Sequence, residues 1–209
     1  LPPGTYNLTL GMLDVAPNGS RTITITGSGP GSTIISQTTA TQRVMTIDYN
    51  LVGNTNVTIS GVTLSGGGNA SDNYGGAGIL AGSAYAPADS LTLDNCSIEN
   101  NRISTGSTDS YGGGVRMDGG VLTVTNCRFI NNSAGTAPGG AIAFINVYTQ
   151  GTINISASTF AGNTVANTTA SGPIDGGAIY INNAVAAIST STFNANLATS
   201  SAAGGAHGG

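Results

Sequence analysis

The fold is decided by three segments that share one pattern and begin 31 residues apart: LTLDNCSIENN (91–101), LTVTNCRFINN (122–132) and INISASTFAGN (153–163). AISTSTFNAN (187–196) follows after a slightly longer interval, and VTISGVTLSGG (57–67) is a weaker, earlier copy. Apolar residues occupy alternate positions in these copies, which is the periodicity of a β-strand. The chain is therefore a repeat protein built from strands.

A second motif, a glycine pair followed by a small residue, alternates with the first. Its copies are YGGAGIL (74–80), YGGGVRM (111–117), PGGAIAF (138–144), DGGAIYI (175–181) and AGGAHGG (203–209). Glycine pairs of this kind predict a turn into the next strand, where a side chain would clash or a positive φ is needed. A phosphate-binding loop would have to lead into a helix, and no segment has helical periodicity.

The two alternating motifs predict an all-β fold, a right-handed single-stranded parallel β-helix of about six rungs with three short strands each. No single repeat can bury its apolar face alone, whereas rungs stacked about 4.8 Å apart bury one continuous core. We expect one domain over residues 1–209, with less regular rungs in 1–68 and regular repeats in 69–209, as a fragment of a longer chain. An antiparallel sandwich is the weaker alternative because it does not require such register.

Stacking in register turns equivalent residues into columns. We predict an inward apolar column and, three residues further on, a polar column at the turn that leaves the strand. The amide of asparagine suits the second column because it can bond the copies above and below, and asparagine tolerates left-handed backbone angles. The predicted columns are Ile98, Phe129, Phe160 and Phe193, followed by Asn101, Asn132, Asn163 and Asn196.

Cys96 and Cys127 lie one repeat apart, where stacking places their Cα atoms within disulfide range. Side chains that stack in parallel often have poor geometry for the bond, so a buried thiol pair and a disulfide both remain open. Ser158 and Ser191 continue their column. Eight asparagines match the glycosylation pattern, which is weak evidence of modification in a chain so rich in Asn, Ser and Thr. They are Asn7, Asn18, Asn56, Asn69, Asn95, Asn131, Asn154 and Asn167.

Composition excludes several functions. Charged residues make up 7% of the 209 residues, the five cations are all arginines, and the net charge is −4, so the basic surface that nucleic acid requires is missing. No apolar run approaches the roughly 18 residues of a spanning helix, which argues against direct membrane insertion. The calcium-binding repeat GGxGxD does not occur, and we expect no metal and no cofactor.

Outward positions of the repeated strands include Thr58, Thr92, Thr123 and Asn154. Such a column could face water, sugar or ice, but a single column is narrower than an ice-binding plane. Three segments vary while the strands keep their register, and we expect them to be displayed as loops: 81–90, 102–111 and 164–175.

The repeats resemble known bacterial proteins. GGAI (139–142, 176–179) alternating with FINN (129–132), FAGN (160–163) and FNAN (193–196) is similar to the repeats of chlamydial polymorphic outer membrane proteins. The resemblance implies a secreted or surface-attached bacterial β-helix protein with an adhesive or structural role.

The N-terminal region carries a second resemblance. LPPGTYNLTL (1–10) and RTITITGSGPGSTIIS (21–36) look like the start of extracellular proteins that carry a CSLREA motif just upstream. The CSLREA segment itself is not in this sequence, and His207 occupies a slot that an aliphatic residue fills in earlier repeats.

The predicted fold, the composition and the resemblances indicate three possible functions. The first is a non-catalytic structural or adhesive surface protein that displays loops from a rigid rod and binds a glycan or cell-surface ligand. The second is a fibre subunit that self-associates through the ends of the β-helix. The third, a carbohydrate-active enzyme, is disfavoured because its chemistry needs clustered carboxylates. The acids are dispersed along the chain: Asp14, Asp48, Asp72, Asp89, Asp94, Glu99, Asp109, Asp118 and Asp175. The nearest approach to a cluster is Asp94, Glu99 and Arg128, for which a surface ion pair is the expected role.

Overall fold

A computed structural model gives the fold of the chain. It describes residues 1–15, 20–47, 54–68, 74–82, 89–103, 111–146, 150–167, 174–200 and 205–208. Every regular element in these residues is a β-strand, and all strand pairs are parallel. The predicted parallel β-helix is therefore confirmed, while its right-handed sense stays a prediction.

The strands are short because each side of the coil is only a few residues wide. The first half of the chain forms β1 (Gly4–Leu8), β2 (Leu13–Val15), β3 (Arg21–Thr26), β4 (Thr33–Gln37), β5 (Met45–Ile47), β6 (Thr55–Ser60), β7 (Thr63–Ser65), β8 (Ile79–Gly82), β9 (Ser90–Asp94), β10 (Ser97–Glu99) and β11 (Arg102–Ile103). The second half forms β12 (Val115–Asp118), β13 (Val121–Thr125), β14 (Arg128–Ile130), β15 (Ser133–Ala134), β16 (Ile142–Ile145), β17 (Gly151–Ser156), β18 (Thr159–Ala161), β19 (Thr164–Asn167), β20 (Ile174–Asp175), β21 (Ile179–Asn182), β22 (Ala184–Ser189), β23 (Thr192–Asn194), β24 (Leu197–Ser200) and β25 (Ala206–His207).

Three long sheets run the length of the molecule. Sheet I contains β1, β4, β7, β10, β14, β18 and β23; sheet II contains β2, β5, β8, β12, β16 and β21; sheet III contains β3, β6, β9, β13, β17 and β22. The chain visits sheets I, II and III in turn, so each circuit adds one strand to each. The six strands of sheets II and III agree with about six rungs, but the predicted three strands per rung hold only for the early rungs.

The later rungs contain an additional side that the sequence did not reveal. Sheet IV consists of β11, β15, β19 and β24, and it follows sheet I at each circuit. A further pair joins β20 to β25. The strands of sheet IV are two to four residues long, which is too short for an alternating pattern to be recognised.

The main apolar core runs along the axis, and a second, smaller cluster lies at sheet IV, formed by Ala77, Ile103, Ala134 and Val165. The apolar column of sheet I extends from Tyr6 through Ile35 and Leu64 to Ile98 and then through the predicted phenylalanines. Phe129 and Phe160 are fully buried, with ring centroids 4.8 Å apart and planes 7° from parallel. Phe193 stacks in the same way at 4.8 Å, but 47% of it is exposed because it lies on the last rung.

Two corners of the coil are built in the same way. Each is a two-residue turn whose first residue has a positive φ, as at Asn95 (49°) and Asn126 (53°) between sheets III and I, and at Asn100 (55°) and Asn131 (54°) between sheets I and IV. Asparagine is among the few residues that adopt this conformation readily. The second residue of each turn points its side chain along the column toward the preceding rung.

This geometry corrects one part of the predicted asparagine column. The left-handed residue is the one before each column member, for example Asn131 before Asn132, so backbone tolerance does not explain the column itself. The column is instead explained by hydrogen bonds, because Asn101, Asn132 and Asn163 are fully buried.

The glycine pairs enter sheet II as predicted. Gly112, Gly139 and Gly176 have φ of 72°, 83° and 64°. A Cβ on the residue that follows each of them would clash with backbone of a neighbouring rung. In the earliest copy the pair is displaced by one residue, so Gly76, its second member, takes the positive φ of 70°.

Candidate functional site

Connections of different length surround sheet II. From β6 onward, each turn from sheet III to sheet I contains two residues, for instance 95–96. Each turn from sheet I to sheet IV also contains two residues, for instance 131–132. By contrast, the chain reaches β8 through residues 66–78 and β16 through 135–141, and it leaves β8 through 83–89 and β12 through 119–120. The loops that a β-helix can vary without losing register therefore lie on both sides of sheet II.

The predicted loops are only partly loops. Arg102–Ile103 forms β11 and Thr164–Asn167 forms β19, so the segments 102–111 and 164–175 begin in strands of sheet IV. The segment 81–90 begins within β8 and ends in β9. Residues 83–88, 104–110 and 168–173, including Tyr85 and Pro87, lie outside the described residues.

The outer face of sheet II is covered. Leu80, Arg116 and Ala143 occupy one outward column, in register on β8, β12 and β16, and all three are buried. Tyr180 continues the column on β21 and is half-buried. Outward side chains of a β-helix ordinarily face water, so this sheet carries a second layer of packed side chains.

An aromatic and arginine stack forms that layer. The guanidinium carbon of Arg116 lies 5.5 Å from the ring centroid of Tyr74 and 5.5 Å from that of Tyr111. The ring of Tyr111 stacks on Tyr180, with centroids 5.8 Å apart and planes at 22°. Cation–π contacts of this length are favourable, more so where the cation is partly desolvated, as in Arg116, which is 8% exposed.

Asp118 fixes the arginine. Its Oδ1 accepts a hydrogen bond of 2.8 Å from Nε of Arg116, two residues earlier on the same strand. Burial raises the pKa of the Asp118 carboxyl, and the hydrogen bond from Arg116 opposes that rise. We name Tyr74, Tyr111, Arg116, Asp118 and Tyr180 the tyrosine–arginine cluster.

Sequence reasoning missed the cluster. Tyr74 and Tyr111 precede glycine pairs, and Arg116 and Tyr180 occupy the same position of their strands two rungs apart. The shared strand position of Arg116 and Tyr180 was the available signal, but Ala143 lies between them in the column and obscured it.

The asparagine column is a hydrogen-bonded ladder. Oδ1 of each column member accepts the backbone N–H of the equivalent residue one rung earlier, from Gly67 N to Asn101 (2.9 Å) through to Asn163 N to Asn196 (3.0 Å). Each Nδ2 donates to a carbonyl of the preceding rung, for example Asn132 to Ile98 O at 2.8 Å. These amides are committed to the fold, and their role is structural.

The cysteines belong to an analogous column at the other corner. Both thiols are free and buried, and the backbone N–H of Cys96 donates to Sγ of Cys127 at 3.4 Å. Ser158 replaces the thiol one rung later and accepts the N–H of Cys127 at 3.1 Å. Of the two alternatives that the sequence left open, the structure contains the buried thiol pair. The hydrogen bond with Cys96, together with burial, raises the pKa of Cys127 far above its usual range.

The acids do not converge. Glu99 accepts a hydrogen bond from Ser97 at 2.7 Å, and Arg128 pairs with neither Asp94 nor Glu99, so the ion pair expected there was wrong. Asp89 is buried and accepts the N–H of Thr55 at 2.9 Å. Within the described ranges no three His, Cys, Asp or Glu residues lie close enough together to hold a metal ion. Asp48, Asp72 and Asp109 lie outside those ranges.

The glycosylation motifs fall into two structural settings. Asn7, Asn56 and Asn154 are exposed on strands, whereas Asn95 and Asn131 are exposed at left-handed turn positions. Asn167 lies on β19, and Asn18 and Asn69 are outside the described residues. The part of the chain that the structure describes contains no helix that is long and apolar enough to cross a membrane.

Comparison of the chain with family models, with curated proteins and with solved structures found no match. The similarity of the repeats to chlamydial polymorphic outer membrane proteins and to CSLREA-motif proteins stays a prediction.

Proposed function

We propose that this protein is a non-catalytic, extracellular structural or adhesive surface protein that presents loops from a rigid β-helix. The observation that carries the proposal is the placement of the variable connections, which flank sheet II while the other corners from β6 onward keep two-residue turns. Repeat scaffolds present binding surfaces in this way, with a constant core and variable segments on one side.

The tyrosine–arginine cluster supplies the chemistry for such a surface. Tyr74 is 38% exposed at its edge, and tyrosine combines a large apolar ring with a hydroxyl that can bond a ligand. Arg116 and Asp118 hold the rings in place through the contacts described above. A glycan or another cell-surface ligand with hydroxyl groups and apolar faces suits this combination, and we place its binding on sheet II and the adjoining loops.

The dispersal of the described acids supports a non-catalytic role. Hydrolysis of a glycosidic bond uses two carboxyl groups that face each other across the bond. Asp118 is the acid of the cluster, and its Oδ1 is bonded to Arg116.

Adhesion tests the proposal. The protein is coupled to beads, and bead binding is measured on a glycan array and on bacterial and eukaryotic cells. In the test variant, residues 83–88 and 104–110 are replaced by Gly-Ser segments of equal length. The control variant is Asn154→Ala, which changes an exposed side chain on sheet III.

We expect saturable binding by the wild type and by the control, and loss of binding by the loop variant. Absence of binding to every surface, or equal binding by all three proteins, would contradict the proposal. Circular dichroism of each variant establishes that the β-structure is retained.

A fibre subunit is the second candidate, and a separate observation favours it. The last rung exposes two large apolar side chains, Ile188 and Phe193, whose equivalents on the preceding rung, Ile155 and Phe160, are buried. At the opposite end Leu1 and Leu10 are exposed. A rung of another copy placed against either end would extend all three sheets and cover these residues.

Electron microscopy of the native protein separates the two candidates. Filaments with an axial repeat of about 4.8 Å would support assembly through the ends, and Phe193→Arg should then abolish them. Separate short rods at all concentrations would rule the fibre out and leave the display function.

A further inference from the structure

The outer face of sheet III is open to solvent, whereas the outer face of sheet II is covered by packed side chains. Along the strands, outward residues alternate with inward ones, which are apolar except at the start of β3 and β6, and none of the outward side chains is buried. Three outward columns run across the six strands without a slip in register. The single column predicted from sequence is the middle one, and it begins one rung earlier than predicted, at Thr24.

Small neutral side chains make up almost the whole face. The middle column reads Thr24, Thr58, Thr92, Thr123, Asn154 and Ala187. The flanking columns contain Thr, Ser, Asn and two valines, and Asp94 is the one charged member. The face carries no aromatic ring and no cation.

This composition excludes the usual partners of an exposed sheet. Sugars stack on aromatic rings, and nucleic acids and anionic surfaces require Lys or Arg. The core of a protein interface is enriched in aromatic residues, Met and Arg, all of which are missing from the face. A neutral partner that offers hydrogen-bond donors and acceptors at a fixed spacing is complementary to it.

The hydroxyl groups are held at regular positions. Neighbouring members of a column lie about 4.8 Å apart, and neighbouring columns lie two residues, or about 6.6 Å, apart along the strand. Threonine has few χ1 rotamers, so its methyl and hydroxyl groups keep their places. Hydrogen bonds along the columns add to this order, from Ser90 Oγ to Asn56 Oδ1 (2.6 Å), from Ser60 Oγ to Thr26 Oγ1 (3.4 Å) and from Ser156 Oγ to Thr125 Oγ1 (3.4 Å).

We propose that the outer face of sheet III binds ice. The repeat of hydroxyl and methyl groups in two directions orders a layer of water, and first-shell waters that bridge protein groups bind nearly as well as direct contacts do. Such a layer is continuous with a crystal of water, whereas liquid water offers no lattice to match. The width of three columns removes the objection that a single column is too narrow.

Growth of a single ice crystal in a dilute solution of the protein tests this directly. The fraction of protein incorporated into the crystal is compared with that of a globular protein of similar size that does not bind ice. Inhibition of ice recrystallisation provides a second readout. The test variant is Thr92→Tyr, which places a bulky ring in the middle column, and Thr123→Tyr is a second variant of the same kind.

Thr159→Tyr is the matched control, because Thr159 points outward at the same strand position as Arg128 and Thr192 on sheet I. We expect incorporation of the wild type and of Thr159→Tyr, and a loss of incorporation to the level of the reference protein for both sheet III variants. Circular dichroism establishes that each variant is folded.

Three outcomes would overturn the proposal: exclusion of the wild type from ice, equal incorporation of all folded variants, or binding to crystalline cellulose without incorporation into ice. None of them bears on the loops around sheet II, so failure here leaves the display function untouched.

Discussion

Asn132 and Asn163, on successive rungs, are joined by an amide–amide hydrogen bond of 3.0 Å from Nδ2 of Asn132 to Oδ1 of Asn163. The same Oδ1 accepts the backbone N–H of Asn132, also at 3.0 Å. One buried side chain therefore satisfies two donors of the rung before it. Because the pattern recurs between Asn101 and Asn132, the corner between sheets I and IV is held by side chains as much as by backbone.

Replacing Asn132 by alanine should destabilise the protein strongly. The backbone N–H and Nδ2 of Asn101 would lose their acceptor, and the carbonyl of Ile98 would lose a donor, all in a buried setting. Since each unsatisfied buried group costs about 1–3 kcal/mol, we expect the free energy of unfolding to fall by about 3 kcal/mol. Urea unfolding followed by circular dichroism measures the change.

Asn154→Ala is the control for this prediction. Asn154 is exposed on sheet III, and such substitutions usually change stability by less than about 0.5 kcal/mol. A similar decrease in the free energy of unfolding in both variants would show that the asparagine ladder does not stabilise the fold.

The phenylalanine stack offers a comparison of one residue type in two environments. Phe160 is fully buried between Phe129 and Phe193, whereas Phe193 is 47% exposed. Phe160→Ala should lower the free energy of unfolding by about 4 kcal/mol, because it removes apolar burial and leaves a cavity. Phe193→Ala should cost less than half as much. Equal losses in urea unfolding would mean that Phe193 is covered in solution, as assembly through the ends would require.

The cysteines should be unreactive in the folded protein. Cys96 and Cys127 are both buried, so an alkylating reagent cannot reach either thiol in the folded protein. The hydrogen bond between them raises the pKa of Cys127 and lowers that of Cys96, so burial rather than a scarce thiolate protects Cys96. At pH 8 we expect native protein to take up no iodoacetamide over a period in which urea-unfolded protein is fully modified at both thiols, as counted by mass spectrometry. Unfolded protein that reacts only after reduction would contradict the free thiols and indicate a disulfide.

The sequence was sufficient to predict the structural features that recur in every repeat, but not those that lack a repeated signal. The alternation of apolar residues and the 31-residue spacing were sufficient for the fold, for the phenylalanine column and for the position of the asparagine column, because each follows from stacking identical segments. Sheet IV was missed since its strands are two to four residues long and carry small residues such as Ala134.

The candidate site was harder to predict for a related reason. The tyrosine–arginine cluster joins Tyr74, Arg116, Tyr111 and Tyr180, which come from three rungs and occupy three different positions of the repeat. A contact between unlike positions leaves no periodic signal. The left-handed turns show the same limitation, since asparagine occurs at both residues of the corner in NN (131–132), and only the geometry separates Asn131, which bends the chain, from Asn132, which bonds the next rung.

The buried carboxyl of Asp118 should make stability depend on pH. Burial raises its pKa in the folded protein above the value of about 3.9 expected in the unfolded chain. The folded state then binds the proton more tightly, so this carboxyl stabilises the fold fully below the unfolded pKa. That contribution is lost as the pH rises through the folded pKa.

Asp118→Asn removes the titration and tests this sign. Arg116 loses its charged partner in the variant, but arginine stays protonated throughout, so that cost is constant across the acidic range. From about pH 3 upward, the free energy of unfolding of the variant should therefore rise relative to that of the wild type and then level off once the folded pKa is passed. Urea unfolding at a series of pH values measures the difference in the free energy of unfolding between variant and wild type. For Asn154→Ala, which changes no titrating group, that difference should not depend on pH. If the difference for Asp118→Asn were also constant, or fell with pH, burial would not raise the pKa of this carboxyl in the folded protein.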